Sequence, residues 1–389
     1  MICPKCKGDR AYKNGSFRGM CPGRADYGNG GPHTFMLSAD EIQATLAVMS
    51  LAKQGIAPEH DMTKSVAPGF QVKGVSTQYD RDGNISSQWV KTTRDHEQQA
   101  QLFEAAIEAL KSDLPRYEPR PVPKRTFEEL LVGYPIGDPH IGMRAWAAEC
   151  GDDWDLEIAE SVHLQAMDAL VDAVPAAKVG MVCNLGDALH YDSLEAKTPR
   201  SGHFLDADGR YAKIIGVAIK VMRRCIDRAL EKHEIVYVKN VPGNHDETGA
   251  LWLARVLAVA YEREPRVIVD TSPSVFLYHR FGKVLIGMHH GHTAKPAVLP
   301  SIMATDRPRD WGESEFRYWW MGHVHHESKK EFNGCSVESF NTLASKDAYA
   351  TNGGWRARES MQAIVYHAEF GEVARSRVAA SMFRRAKEG

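Results

Sequence analysis

Five apolar runs in the C-terminal two thirds of the chain end in side chains that can hold a metal ion or move a proton. Asp138-Pro139-His140 ends the first, and Gly186-Asp187 with His190 ends the second. Gly243-Asn244-His245-Asp246 ends the third, His289-His290-Gly291-His292 the fourth, and Gly322-His323-Val324-His325-His326 the fifth. A lone Asp after an apolar run is ordinarily a turn or cap residue, but five successive endings of this kind need another reason. Imidazoles suit Zn, Fe and Ni, while carboxylate and amide oxygens suit Mn and Mg. No thiol stands among these groups, and they are too many for one ion. They imply two divalent cations, which in phosphoryl transfer sit roughly 3.5–4 Å apart and clamp the attacking and leaving oxygens.

The elements that must position these groups are legible as alternating patterns. Strand candidates are ELLVGYPIGD (129–138), KVGMVCNLGD (178–187), EIVYVKNVPGN (234–244), VFLYHRFGKVLIGMHHG (275–291) and FRYWWMGHVHH (316–326). Helix candidates are residues 156–174, 209–233 and 250–262, and residues 360–380 read as a closing hairpin. This is an α/β pattern. Loops at the carboxyl ends of strands in α/β sheets converge on one crevice, so a single pocket lined by carboxylates, imidazoles and an amide is expected. Residues 191–210 form a long connection, in which Arg200 and His203 are candidate phosphate contacts or part of a solvated loop.

The front of the chain differs in composition. Residues 1–36 are rich in Gly, Lys, Arg and Cys. Residues 37–114 read as a helix starting at Ser38, a hairpin turned at Asp82-Gly83-Asn84, and a second helix. Residues 115–126 form a Pro-rich linker, and residues 127–389 form the catalytic candidate. Of 389 residues, 43% are hydrophobic and 25% charged, with a net charge of −2, so nucleic-acid contact would need a local basic patch. Seven unevenly spread cysteines do not make a disulfide framework. With no signal pattern and no membrane-length apolar run, the expected compartment is the cytoplasm of a bacterial or phage-infected cell, with no membrane contact.

The ordered series D-x-H, G-D-x-x-H, G-N-H-D, H-G-H, G-H-x-H resembles the calcineurin-like metallophosphoesterase superfamily across residues 130–380. The resemblance implies a four-layer α-β-β-α sandwich. It implies that Asp138, His140 and His325 hold one metal, Asn244, His290 and His323 a second, and that Asp187 bridges them. A shared water or hydroxide is then the nucleophile, His245 the general acid and Asp246 the group that orients His245. His190 is a pocket residue. His289 competes with His290 for the ligand role, and His292 stands behind it. Manganese is the expected metal, with Mg, Zn, Fe or Ni as alternatives.

Cys3, Cys6 and Cys21 resemble part of the zinc ribbons that precede helical DNA-binding segments in transposase-like proteins. Arg24 stands where a fourth Cys is expected, so His33 is the substitute ligand for a structural zinc; a degenerate ribbon is the alternative. Lys5, Lys7, Arg10, Lys13, Arg18 and Arg24, interleaved with Tyr12, Phe17 and Tyr27, suit phosphates and bases. The helices and hairpin behind the ribbon could form a winged-helix-like unit. The arrangement resembles phage and prophage metallophosphoesterases whose fold is similar to that of repair nucleases, which implies a DNA or RNA nuclease. A phosphomonoesterase or small-nucleotide phosphohydrolase and a non-catalytic nucleic-acid adaptor are the alternatives. Related nucleases often dimerise, but no helix here marks such an interface.

Overall fold

The computed structural model describes residues 121–198, 202 and 204–384, together with five strands nearer the N-terminus. The chain divides into two compact units, Met1–Gln99 and Ala100–Gly389. In the first, β1 (Tyr12–Lys13), β2 (Arg18–Cys21) and β3 (His33–Met36) form an antiparallel sheet, and their register sets Cys21 opposite His33. β4 (Phe70–Tyr79) and β5 (Ile85–Arg94) form the expected antiparallel hairpin. Cys3, Cys6, the flanking helices and the turn at residues 82–84 lie outside the described residues, as do Arg200 and His203.

The second unit holds two sheets. β6 (Phe127–Ile136), β7 (Ala177–Asn184), β8 (Ile235–Asn240) and β9 (Val267–Val269) run parallel. The hairpin β15 (Ser360–His367) and β16 (Gly371–Ala379) continues that sheet antiparallel beside β6. In the other sheet β11 (Val284–His289), β12 (Phe316–Met321) and β14 (Cys335–Ser339) are parallel, flanked by antiparallel β10 (Leu277–Phe281) and β13 (Ser328–Phe332).

Alternation along each strand explains the layering, because successive side chains leave a strand on opposite faces. Val132, Tyr134 and Ile136 of β6 join a core with helices α1 (Leu156–Ala173) and α2 (Tyr211–Leu230). Leu131 of β6 joins Met181, Ile286, Trp320 and Tyr366 in a second core between the sheets. On the far side Leu285, Trp319 and Val337 pack with Leu299 and Met303 of α4 (Leu299–Asp306), which precedes α5 (Pro308–Glu313). The order is helices, sheet, sheet, helices. Strands covered on both faces carry near-continuous apolar runs, which is why β6, β7 and β11 stand out in the sequence. Helix α1 starts cleanly because Asp155 accepts a hydrogen bond from Ile158 N at 2.8 Å.

The sheets pack tightly at Gly133, where an added Cβ would lie 2.2 Å from the Trp320 ring. Gly133→Ala is expected to destabilise the protein by about 1–3 kcal/mol, the usual range for overpacking, measured by urea unfolding. An unchanged midpoint would show that the two sheets are not packed this tightly.

Candidate metal centre

Both sheets contribute the carboxyl ends of parallel strands to one edge. β6, β7 and β8 lead into Asp138–His140, Asp187–His190 and Asn244–Asp246, while β11 and β12 lead into His290 and His323–His325. Backbone bonds tie the two sets together. His323 N donates to both Asp138 carboxylate oxygens at 2.9 and 3.0 Å, and within the second set Gly322 N donates to His290 O at 3.0 Å. Thr342 Oγ1 donates to Asp138 O at 2.6 Å.

The non-glycine residues with positive φ among the described residues are Asp138 (44°), His140 (43°), Asp187 (52°), His323 (69°) and His325 (54°). A left-handed backbone costs a side-chain-bearing residue roughly 1–2 kcal/mol, and such strain gathers where a site demands a particular side-chain direction. Every one of these residues is an expected ligand.

Two ligand groups result. The donor atoms of Asp138, His140 and His325 lie within 4.8 Å of one another, as do those of Asp187, His290 and His323. In the first group His325 Nε2 is 3.1 Å from His140 Nε2 and 3.4 Å from Asp138 Oδ1. In the second His290 Nδ1 donates to Leu185 O at 2.8 Å, which leaves Nε2 facing Asp187 Oδ2 at 3.1 Å and Asn244 Oδ1 at 3.0 Å. Asp187 Oδ2 is also 4.0 Å from His140 Nε2, so this carboxylate stands between the groups. Nitrogen and oxygen acceptors facing one another at such distances fit cations, and these groups could bind metal ions. Gly243 permits the arrangement: a Cβ there would lie 2.0 Å from Asp187 Oδ1.

Electrostatics differ between the imidazoles. Burial, helped by His245 and His325, holds His140 well below the ordinary histidine range. Burial and His245 push His190 down to about 3. Burial also opposes charge on His290, but Asp187 and Asp138 outweigh it and raise that pKa to about 9. In Asp187 burial favours the neutral acid, yet His290 and His140 hold the carboxyl far below its usual range.

His245 sits beside these groups. Its Nδ1 contacts His190 O at 2.8 Å, its backbone N donates to Asp187 Oδ1 at 2.8 Å, and its donor atoms form a third cluster with His140 and His190. One expectation is corrected here. Asp246 does not orient the His245 ring; that contact is the His190 carbonyl. The buried Asp246 carboxylate accepts from the backbone N–H groups of Asp187 (3.1 Å), Leu189 (3.2 Å) and Gly243 (3.0 Å). It therefore braces the two loops that carry Asp187 and His245. Burial, then Asp187 and Asp192, raises its pKa to about 8. The amide cap of α3 (Glu247–Ala260) comes from Asp192, which accepts from Thr248 N at 2.6 Å and Gly249 N at 3.0 Å.

Of the two competing histidines, His290 and not His289 stands in a ligand group. His289 Nδ1 bonds Val275 O at 3.1 Å and its Nε2 contacts Thr293 Oγ1 at 3.2 Å and Ala294 N at 3.3 Å, so both ring nitrogens are engaged away from the ligand groups. His292 lies near them, its ring tilted against that of His290 with centroids 5.3 Å apart. His190 lies inside the pocket with Nδ1 3.4 Å from His140 Nδ1. Nothing in the sequence around Asp192 or Thr342 distinguishes either from an ordinary turn residue.

No protein-family model matches the chain, and no curated protein matches it. Among the described residues no helix is long and apolar enough to cross a membrane. Solved structures similar to the chain include Vps29 from Entamoeba histolytica complexed with zinc, at 13% identity and TM-score 0.28, covering 64% of this chain and 99% of that one. YfcE, a phosphoesterase from E. coli, has 14% identity and TM-score 0.28 over 64% of this chain and 99% of its own. A structure described as a novel archaeal phosphodiesterase has 12% identity and TM-score 0.33, with 64% and 99% covered.

Proposed function

We propose that the chain is a metal-dependent phosphoesterase that hydrolyses phosphodiester bonds, with nucleic acid as its substrate. The observation that carries the chemistry is the pair of ligand groups meeting at the buried Asp187, with His245 alongside and its Nδ1 engaged by a carbonyl. Asp138, His140 and His325 would hold one divalent cation, and Asn244, His290 and His323 the other, with Asp187 between them. When bound, such a pair supplies Lewis-acid polarisation of the phosphoryl oxygens and a nucleophile at neutral pH. The chain supplies the rest. The His190 carbonyl accepts from the Nδ1–H of His245 and sets the ring direction, so that Nε2 faces the leaving oxygen and, when it carries the ring's second proton, is the nitrogen that gives it up. Asp246 and Gly243 hold the Asp187 and His245 loops in contact. The basic, aromatic-bearing sequence of residues 1–36 supports a nucleic-acid substrate.

Chelation followed by metal return tests this reading. EDTA-treated protein is expected to lose hydrolysis of bis(p-nitrophenyl) phosphate and to regain it with Mn²⁺. Metal uptake should release protons and strengthen as pH rises toward about 9, because the proton held on His290 competes with the metal below that pH. Diester hydrolysis that survives chelation would refute the proposal. A p-nitrophenyl monoester cleaved in strong preference to the diester would move the assignment to a phosphomonoesterase.

A further inference from the structure

We infer that the rim of the metal centre is a docking face for single-stranded nucleic acid, built from Trp146, Tyr349, Trp355, Arg144 and Arg356. This inference rests on the phosphodiesterase reading above and names the form of its substrate.

Of the exposed aromatic side chains described in the second unit, Phe127 and Phe370 lie beside the start of β6, Phe204 lies against Lys197 with Nζ 4.4 Å from its ring centroid, and the other three lie in two connections that pack on each other. Trp146 is 67% exposed, Tyr349 73% and Trp355 56%. All three lie in connections that leave the ligand-bearing edge. Trp146 stands six residues after His140 and opens the single turn Ala147–Cys150, which packs against the turn Ala348–Asn352 that carries Tyr349. The Trp355 ring lies 5.2 Å from the Tyr349 ring, edge to face. The same connection begins at Thr342, which bonds Asp138 O and pairs with Gly137 in a parallel bridge. The aromatic face is thus joined covalently and by hydrogen bonds to the loops that hold Asp138 and His140.

The cations on this face make no direct ion pair with a described carboxylate. Arg144 is exposed and forms no ion pair with any described residue. Arg356 is held in place by carbonyl groups: Nη1 donates to Trp355 O at 2.8 Å and to Thr351 O at 3.3 Å, and no described carboxylate pairs with it. Nearby acids are engaged elsewhere. Asp347 caps the 348–352 turn through Ala350 N at 2.8 Å, Asp153 accepts from Ala147 N at 2.6 Å, and Asp152 pairs with Arg384 at 3.0 Å. Glu149 and Asp206 are exposed close by, so the face is not a broad positive field. Its character is that of aromatic rings with a few guanidinium groups, the combination on which unpaired bases stack while phosphates pair. In a duplex the base faces are already stacked on one another, so this chemistry selects a single strand.

The test uses the full chain in EDTA, so that binding is read without turnover. Anisotropy of a short labelled oligothymidylate is titrated against wild type, Tyr349→Ala, Trp355→Ala and the double variant. Each truncation is expected to weaken binding by about tenfold, within the range of one lost base stack. Trp355→Phe should restore most of the loss. Phe127→Ala and Phe370→Ala should bind as wild type, because those exposed aromatics lie at the opposite end of the first sheet, beside the start of β6. With Mn²⁺ restored, turnover of bis(p-nitrophenyl) phosphate should be the same in every variant. A double variant that binds the oligonucleotide as tightly as wild type would overturn the inference, as would equal loss in the Phe127 and Phe370 controls or tighter binding of a duplex. If wild type hydrolyses no diester yet loses binding on truncation, the phosphodiesterase reading fails and the docking face stands.

Discussion

Asp187→Asn protein is expected to keep its fold and lose at least about 10³-fold in kcat/KM on a small phosphodiester, at the upper end of what removing one preorganised electrostatic group costs. The substitution separates charge from shape. Asn tolerates the left-handed backbone found at Asp187, where φ is 52°, and its amide oxygen can still accept from His245 N, now 2.8 Å from Oδ1. What disappears is the negative charge that faces His290 Nε2 at 3.1 Å and stands between the two ligand groups. Far-UV circular dichroism should be unchanged, while the thermal midpoint and the metal content measured on the purified variant should both fall. A variant with full metal content and full activity would show that Asp187 does not join the groups.

His245→Ala should behave differently, and the difference identifies its role. Loss of a general acid costs about 10²–10⁴-fold when the leaving oxygen needs a proton. An alkyl phosphodiester should therefore suffer the full loss. A p-nitrophenyl diester, whose leaving group departs as a stabilised anion, should lose less than about tenfold. Metal content should match wild type, because the His245 contacts run to His190 O and Asp187 Oδ1 through Nδ1 and the backbone. Equal losses on both substrates, accompanied by loss of metal, would instead assign His245 to the ligand cluster it forms with His140 and His190.

The residues of the centre were legible before the structure because they end runs whose burial demands apolar side chains. β6, β7 and β11 are covered on both faces, so their sequences are nearly unbroken hydrophobics that stop abruptly at Asp138, Asp187 and His290. The closing hairpin β15–β16 was equally readable. Partition of the strands between two sheets was not, since it depends on contacts such as Gly133 against Trp320 that no local pattern records. β13, the exposed edge sequence SKKEF, has too little apolar character to announce a strand. His289 and His290 illustrate a distinction that parity alone could have drawn. His289 shares the alternation of Leu285, whose side chain points to the outer helices, while His290 turns the other way. The role of Asp246 was out of reach, because its partners are backbone amides of a loop nearly sixty residues earlier.

On the proposed reading one pocket would hold two divalent cations, one on either side of Asp187. Electron paramagnetic resonance of the full chain titrated with Mn²⁺, alongside a metal count, measures this most directly. Two ions per chain are expected, with a spin-coupled spectrum that vanishes in Asp187→Asn. One ion per chain, or two ions whose spectra remain uncoupled in the wild-type protein, would contradict that reading.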